Sequence, residues 1–214
     1  MPDWRALSTV KCAIVRDRPL YFTFTPHERN GIGSVRLAGA RAALPLRLHQ
    51  ADVRESTTGF EARLTVDHGQ AVRAHLRFRS EPDGSFVMTE KLVALTNITT
   101  AEIATGLIGI LNNPHWIYEQ ARRRVLVDGQ QVEVLSGCGQ QWQWPDARRI
   151  AVDDVLFVQS QQPLRVSYVA ADRAERGRVT DQLFLNHLPG NRPWAAGQTL
   201  SECQIFVRCP KPGQ

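Results

Sequence analysis

Alternation of apolar and polar residues is the feature that most constrains the fold of this chain. It is clearest in residues 60–66 (FEARLTV) and 71–78 (AVRAHLRF), where most apolar side chains fall on every second position. Because successive side chains of a strand point to opposite faces, this period predicts strands with one buried and one polar face. The connecting residues 67–70 (DHGQ) include a glycine suited to a tight turn, so the two segments are predicted to form an antiparallel hairpin.

The same pattern recurs along most of the chain and predicts its fold class. Asp128-Gly129 lies between two apolar alternations and predicts a type I′ hairpin turn. Asn113-Pro114 is the one good helix start, so at most one short helix is expected. We predict an all-β fold, an antiparallel two-sheet sandwich of about eleven strands. A single β-sandwich domain is expected to cover residues 1–214.

Two segments stand out from the simple alternation. Residues 101–111 (AEIATGLIGIL) are apolar almost throughout, which predicts a central strand covered on both sides. In the last predicted strand, Cys203, Ile205 and Val207 alternate with polar residues. Phe206 falls among those polar residues and is therefore an exception to an otherwise polar outer face.

Composition and charge exclude several classes of partner. The chain has 214 residues, 43% hydrophobic and 22% charged, with a formal net charge of +5. That excess is small and no block of five or six like charges occurs, so nucleic acid is an unfavoured partner. No apolar run reaches the ~18 residues of a membrane span, so no membrane partner is expected. Residues 1–18 carry charges where a secretory signal needs an apolar core, which predicts a cytoplasmic protein.

Motifs for catalysis and metal binding are missing from the sequence. The four cysteines contain no CxxC pair, and the six histidines show no HExxH or HxH spacing. There is no GxSxG nucleophile motif and no phosphate-binding glycine loop. We therefore expect no cofactor and no metal, and the sequence identifies no catalytic residue.

The first candidate site is the run of residues 137–146 (GCGQQWQWPD). In an extended segment Trp142 and Trp144 project from one face and Gln141 from the other. Two indoles with amide and carboxylate groups nearby, including Gln141 and Asp146, would suit a sugar ring, whose C–H faces pack on aromatic rings. The alternative is that the tryptophans cover the end of the sandwich as part of its apolar interior.

The second candidate site is the polar face of the predicted hairpin, where four arginines, Arg63, Arg73, Arg77 and Arg79, gather with His75. Guanidinium groups bind carboxylate or sulfate through two parallel hydrogen bonds, which would suit an acidic polysaccharide. The alternative is a solvated face whose arginines pair with acidic residues of neighbouring strands.

Two segments resemble a known group of proteins. Residues 61–95 (EARLTVDHGQAVRAHLRFRSEPDGSFVMTEKLVAL) and residues 192–207 (RPWAAGQTLSECQIFV) are similar in pattern to the galactose mutarotase-like supersandwich group. The resemblance implies a large antiparallel sandwich in which a concave sheet face binds sugar. The epimerases of this group use paired histidines and a glutamate, and this chain has no residue-by-residue match to that set. Residues 183–187 (LFLNH) are weakly similar to one segment of these epimerases.

These features together predict a carbohydrate-binding domain for acidic polysaccharide, ancillary to a degrading enzyme and acting as a monomer or homodimer. One alternative is a sugar epimerase or polysaccharide lyase-like enzyme, which requires His75 or His187 close to a glutamate. Another is a structural or assembly protein that docks a partner through its aromatic patch of Trp142 and Trp144.

Overall fold

The computed structural model describes residues 32–57, 59–83, 85–105, 109–112, 122–135, 138–154, 156–170, 180–187 and 190–208. Among these residues there are 14 strands and no helix, so the predicted all-β class is confirmed. The predicted helix start at Asn113-Pro114 lies outside the described residues. The strands are β1 (Ser34–Leu37), β2 (Leu46–Ser56), β3 (Gly59–His68), β4 (Val72–Ser80), β5 (Phe86–Ala94), β6 (Ile98–Ala104), β7 (Gly109–Asn112), β8 (Arg122–Val127), β9 (Gln130–Leu135), β10 (Gln141–Val152), β11 (Leu156–Ala170), β12 (Thr180–His187), β13 (Arg192–Trp194) and β14 (Thr199–Val207).

All of these strands belong to one antiparallel hydrogen-bonded sheet with the central order β1-β6-β12-β11-β14-β5-β4-β3-β2. Strand β11 divides the sheet into two halves, because residues 156–160 pair with β14 whereas residues 164–170 pair with β12. Pro163, which has no N–H to donate to a ladder, lies between these two regions. Strand β10 pairs with β11 along its length, and the register of this pairing shifts twice between Trp144 and Arg149. The long β10–β11 hairpin therefore bends where the two halves of the sheet meet.

The two halves of the sheet act as the two layers of a sandwich. In strand after strand, every second side chain is buried, and the buried apolar residues form one contiguous cluster. A sheet with one buried face must curl back on itself to bring that face out of water. The antiparallel sandwich is thus built from one continuous sheet. We call the half containing β2, β3, β4, β5, β14 and the adjoining ends of β10 and β11 the first layer, and the half containing β12 and β6 the second layer.

The predicted hairpins are present with the turn chemistry that the sequence indicates. Strands β3 and β4 pair from His68 opposite Val72, and Gly69 in the turn has φ of 59°. Between β8 and β9, Asp128 has φ of 49° and Gly129 has φ of 88°. Two successive residues with positive φ are the requirement of a type I′ turn.

The prediction for residues 101–111 was wrong in two respects. Residues 101–111 do not form one strand, since β6 ends at Ala104 and β7 begins at Gly109. Within β6 only Thr100 and Ile103 are buried, so this strand is not covered on both faces. The strand count exceeds the predicted eleven partly because β1, β7 and β13 are only three or four residues long and carry too few residues for a visible period.

The described part of the chain contains no helix of the length and apolarity that crossing a bilayer requires.

Candidate functional site

The two tryptophans of the first candidate site lie on the core-facing side of the second layer. Trp142 and Trp144 are half-buried and pack against the apolar core, while Gln141 and Asp146 are exposed. The Trp142 ring meets the fully buried ring of Tyr168 edge-on, with centroids 6.1 Å apart. Trp142 and Trp144 therefore contribute to the packing of the core.

The arginines of the second candidate site lie together on the outer face of the first layer. We call the surface formed by Arg63, Arg73, His75 and Arg77 the arginine face. Arg63 on β3 lies directly opposite Arg77 on β4, and the burial pattern of both strands turns these side chains away from the core. The arginine face looks outward and the two tryptophans look inward, so the two candidate sites do not share a surface.

Most cations near the arginine face pair with an acidic side chain. The Arg73 guanidinium donates two hydrogen bonds to Asp67, at 2.7 and 3.4 Å. Arg79 pairs with Glu81, and Lys91 lies 3.6 Å from Glu202. These pairs are neutral overall, as expected for a solvated face of alternating charges.

Arg63 and Arg77 differ because they share one carboxylate. The Nε atoms of Arg63 and Arg77 lie 2.9 and 2.7 Å from the same oxygen of Glu61. Hydrogen bonds from Arg63 and then Arg77 lower the pKa of Glu61 below its usual value. Glu61 is therefore ionised at neutral pH, and this cluster of three side chains carries one positive charge in excess.

His75 sits among cations and has no acidic partner within the described residues. Partial burial lowers the pKa of His75, and the nearby charges of Arg73 and Lys91 lower it further. The imidazole is therefore mostly neutral at pH 7. No hydrogen bond to a glutamate is formed by His75 among the described residues, and the side chain of His187 lies outside them. Within the described ranges, His75 thus lacks the hydrogen-bonded glutamate that the epimerase or lyase interpretation requires.

Metal binding finds no support in the described part of the chain, where no three His, Cys, Asp or Glu side chains cluster closely enough to hold an ion.

The outer face of the first layer contains a depression of about 490 Å³ beside the arginine face. Arg63, His75 and Arg77 contribute to its wall together with polar residues from three other strands, β2, β5 and β14. These polar residues are Gln50, Asp52, Thr89, Lys91 and Glu202.

A second depression of about 300 Å³ lies further along the same outer face. Its floor includes Phe157 on β11 and Phe206 on β14, whose ring centroids are 5.9 Å apart. The Arg208 guanidinium lies 5.1 Å from the centre of the Phe157 ring, within the range of a cation–π contact. Leu126 and Ala151 extend the apolar surface. We call this depression the aromatic groove.

A line of polar side chains connects the two depressions across seven strands. The register places Asp52, Arg63, Arg77, Thr89, Gln204, Gln159 and Arg149 side by side in that order. We call this line the polar row. At the spacing of neighbouring strands it extends roughly 29 Å along the sheet. Its last three members also line the aromatic groove, so the amides and the guanidinium of that end lie beside Phe157 and Phe206.

The aromatic groove was missed by the sequence analysis, although one signal pointed to it. Phe206 interrupts the polar face of its strand, and the structure puts Phe157 opposite it. The pairing joins residues far apart in the chain, and the alternation of one strand does not reveal which strand lies next to it.

No protein-family model matches the chain, and no curated protein matches it.

Proposed function

We propose that this protein binds carbohydrate through the outer face of its first layer, along the polar row and the aromatic groove. The observation that carries the proposal is the pair of outward phenylalanine rings, Phe157 and Phe206, beside Gln159, Gln204 and Arg149. The C–H faces of a sugar ring pack on aromatic rings, and its hydroxyl groups need both donors and acceptors. Amide side chains supply both, and the groove offers two of them.

The scaffold suits this use because strands fix the spacing of the contacting groups. Side chains held on paired strands lose little conformational freedom when a ligand binds, and less ordering entropy opposes binding. We propose a non-catalytic domain ancillary to an enzyme that degrades polysaccharide. Its cytoplasmic location and its independence of cofactors stay predictions from the sequence.

A binding experiment with Phe206→Ala tests the proposal. We expect the wild-type protein to bind members of a glycan array and the variant to bind the same glycans about tenfold more weakly, since a lost aromatic contact is worth about 1 to 1.5 kcal/mol. Affinities are measured by calorimetry on the best glycan from the array. Circular dichroism of each variant establishes that the fold is retained.

Trp142→Phe is the matched control, because it changes an aromatic residue on the inner face and keeps an apolar ring against the core. We expect its glycan affinity to equal that of the wild type. Loss of affinity in this control with none in Phe206→Ala would move the site back to the tryptophans. A wild-type protein that binds no glycan would refute the proposed function.

A further inference from the structure

One cluster on the outer face of the first layer, Arg63 and Arg77 with Glu61, carries more positive than negative charge. Arg73, Arg79, Lys91 and Arg54 pair with Asp67, Glu81, Glu202 and Asp52 respectively. Arg63 and Arg77 instead are two arginines that share a single acid, Glu61. An additional anion at this pair would complete the charge balance.

The contact with Glu61 also indicates which kind of anion fits. A carboxylate already bridges the two guanidinium groups, and each contact uses only the Nε atom of its arginine. Among the described residues the terminal nitrogens of Arg63 and Arg77 have no hydrogen-bond partner. Each of them is a donor in the planar fork that binds carboxylates bidentately.

This pair lies at a fixed distance from the aromatic groove. Arg77 is on β4 and Phe157 is on β11, with β5 and β14 between them in the sheet. Three strand spacings correspond to roughly 14 Å. One sugar ring is too short to contact both places, whereas an oligosaccharide lying along the polar row reaches them simultaneously.

We propose that the ligand is a linear oligosaccharide carrying uronate carboxylates. One of its rings packs in the aromatic groove, and a carboxylate further along binds between Arg63 and Arg77. This inference rests on the proposed function and adds the class of ligand, its direction across the strands and a minimum length. Two linked contacts raise affinity above that of either alone, because the second forms at high effective concentration.

Calorimetry with oligogalacturonates of increasing length, each compared with its methyl-esterified form, tests the inference. The ester keeps every sugar ring and removes the charge. We expect the free acid to bind about fivefold more tightly than the ester, a modest factor because the arginines are partly exposed. The preference should appear only once the chain spans both contacts, and it should weaken as salt is raised.

Arg77→Gln and Arg79→Gln form a matched pair of variants. The two arginines are neighbours on the outer face of β4, with side chains 47% and 46% exposed, but Arg79 has Glu81 to itself. Arg77→Gln should abolish the preference for the free acid, with a larger loss of affinity for the acid than for the ester. Arg79→Gln should retain the preference. Equal loss in both variants would indicate a diffuse charge effect and overturn the inference.

The remaining outcomes separate this inference from the proposed function. If acid and ester bind equally at every length, the uronate assignment is wrong and carbohydrate binding stands. If neither form nor any neutral glycan binds, the proposed function fails as well. Tighter binding of a sulfated oligosaccharide of equal length, or of a single-stranded oligothymidylate of equal charge, would overturn the carboxylate assignment in favour of that anion.

Discussion

Asp153→Asn is expected to lower the free energy of unfolding by about 3 kcal/mol, because it removes the negative charge that pairs with the buried guanidinium of Arg123. Arg123 is only 1% exposed on the core face of β8, and its Nη1 atom lies 3.0 Å from Oδ2 of Asp153. The other oxygen of Asp153 accepts the backbone N–H of Arg124 at 2.8 Å. Asparagine has one oxygen for these two donors, so one of the bonds must be lost. Urea denaturation of wild type and variant measures the difference.

Asp154→Asn is the control, since Asp154 is the next residue in the same turn. Both aspartates have positive φ, 51° and 54°, which asparagine tolerates. Asp154 pairs with Arg124 on the surface, where both side chains are about half exposed. We expect a loss below about 0.5 kcal/mol for this exposed pair. A loss of that size in Asp153→Asn too would contradict a stabilising role for the buried pair.

Acid is expected to destabilise the wild-type protein through His68, and His68→Leu should remove this effect. The His68 side chain is fully buried, and neither ring nitrogen has a hydrogen-bond partner among the described residues. Burial lowers the pKa of His68 from 6.5 to about 4. Between these two pH values the unfolded chain binds a proton at His68 and the folded protein does not. The free energy of unfolding therefore falls by about 3 kcal/mol as the pH falls from 6.5 to 4.

The comparison of variants isolates this effect from the titration of carboxylates. Above pH 6.5 the imidazole is neutral in both states, so His68→Leu should match or slightly exceed the wild-type stability there. At pH 4 the variant should be more stable by about 3 kcal/mol. His75→Gln, at an exposed histidine of the next strand, should gain much less stability at pH 4 than His68→Leu. Parallel stability curves for wild type and His68→Leu from pH 7 to 4 would refute the assignment.

The faces of the strands were predictable from sequence because alternation is a local property. Leu64, Leu76 and Ile205 are buried, while Arg63 and Arg77 point outward as the period of two requires. The turns at Gly69 and Asp128-Gly129 were also readable, since positive φ restricts the residue type.

Properties that depend on long-range pairing were not predictable in this way. The indoles of Trp142 and Trp144 share a face, but sequence alone did not say whether that face looked toward core or solvent. The aromatic groove depends on the pairing of Phe157 with Phe206, and the charge balance depends on Arg63 and Arg77 meeting at Glu61. Each of these contacts is set by register between strands, which the pattern within one strand leaves open.

Strand β11 pairs with β14 at one end and with β12 at the other, so the two layers share it. Separating the layers therefore breaks backbone hydrogen bonds of β11. The backbone amides of β14 and β12 should therefore lose protection from hydrogen exchange with a common opening free energy. Native-state exchange measured in low denaturant checks this cooperativity.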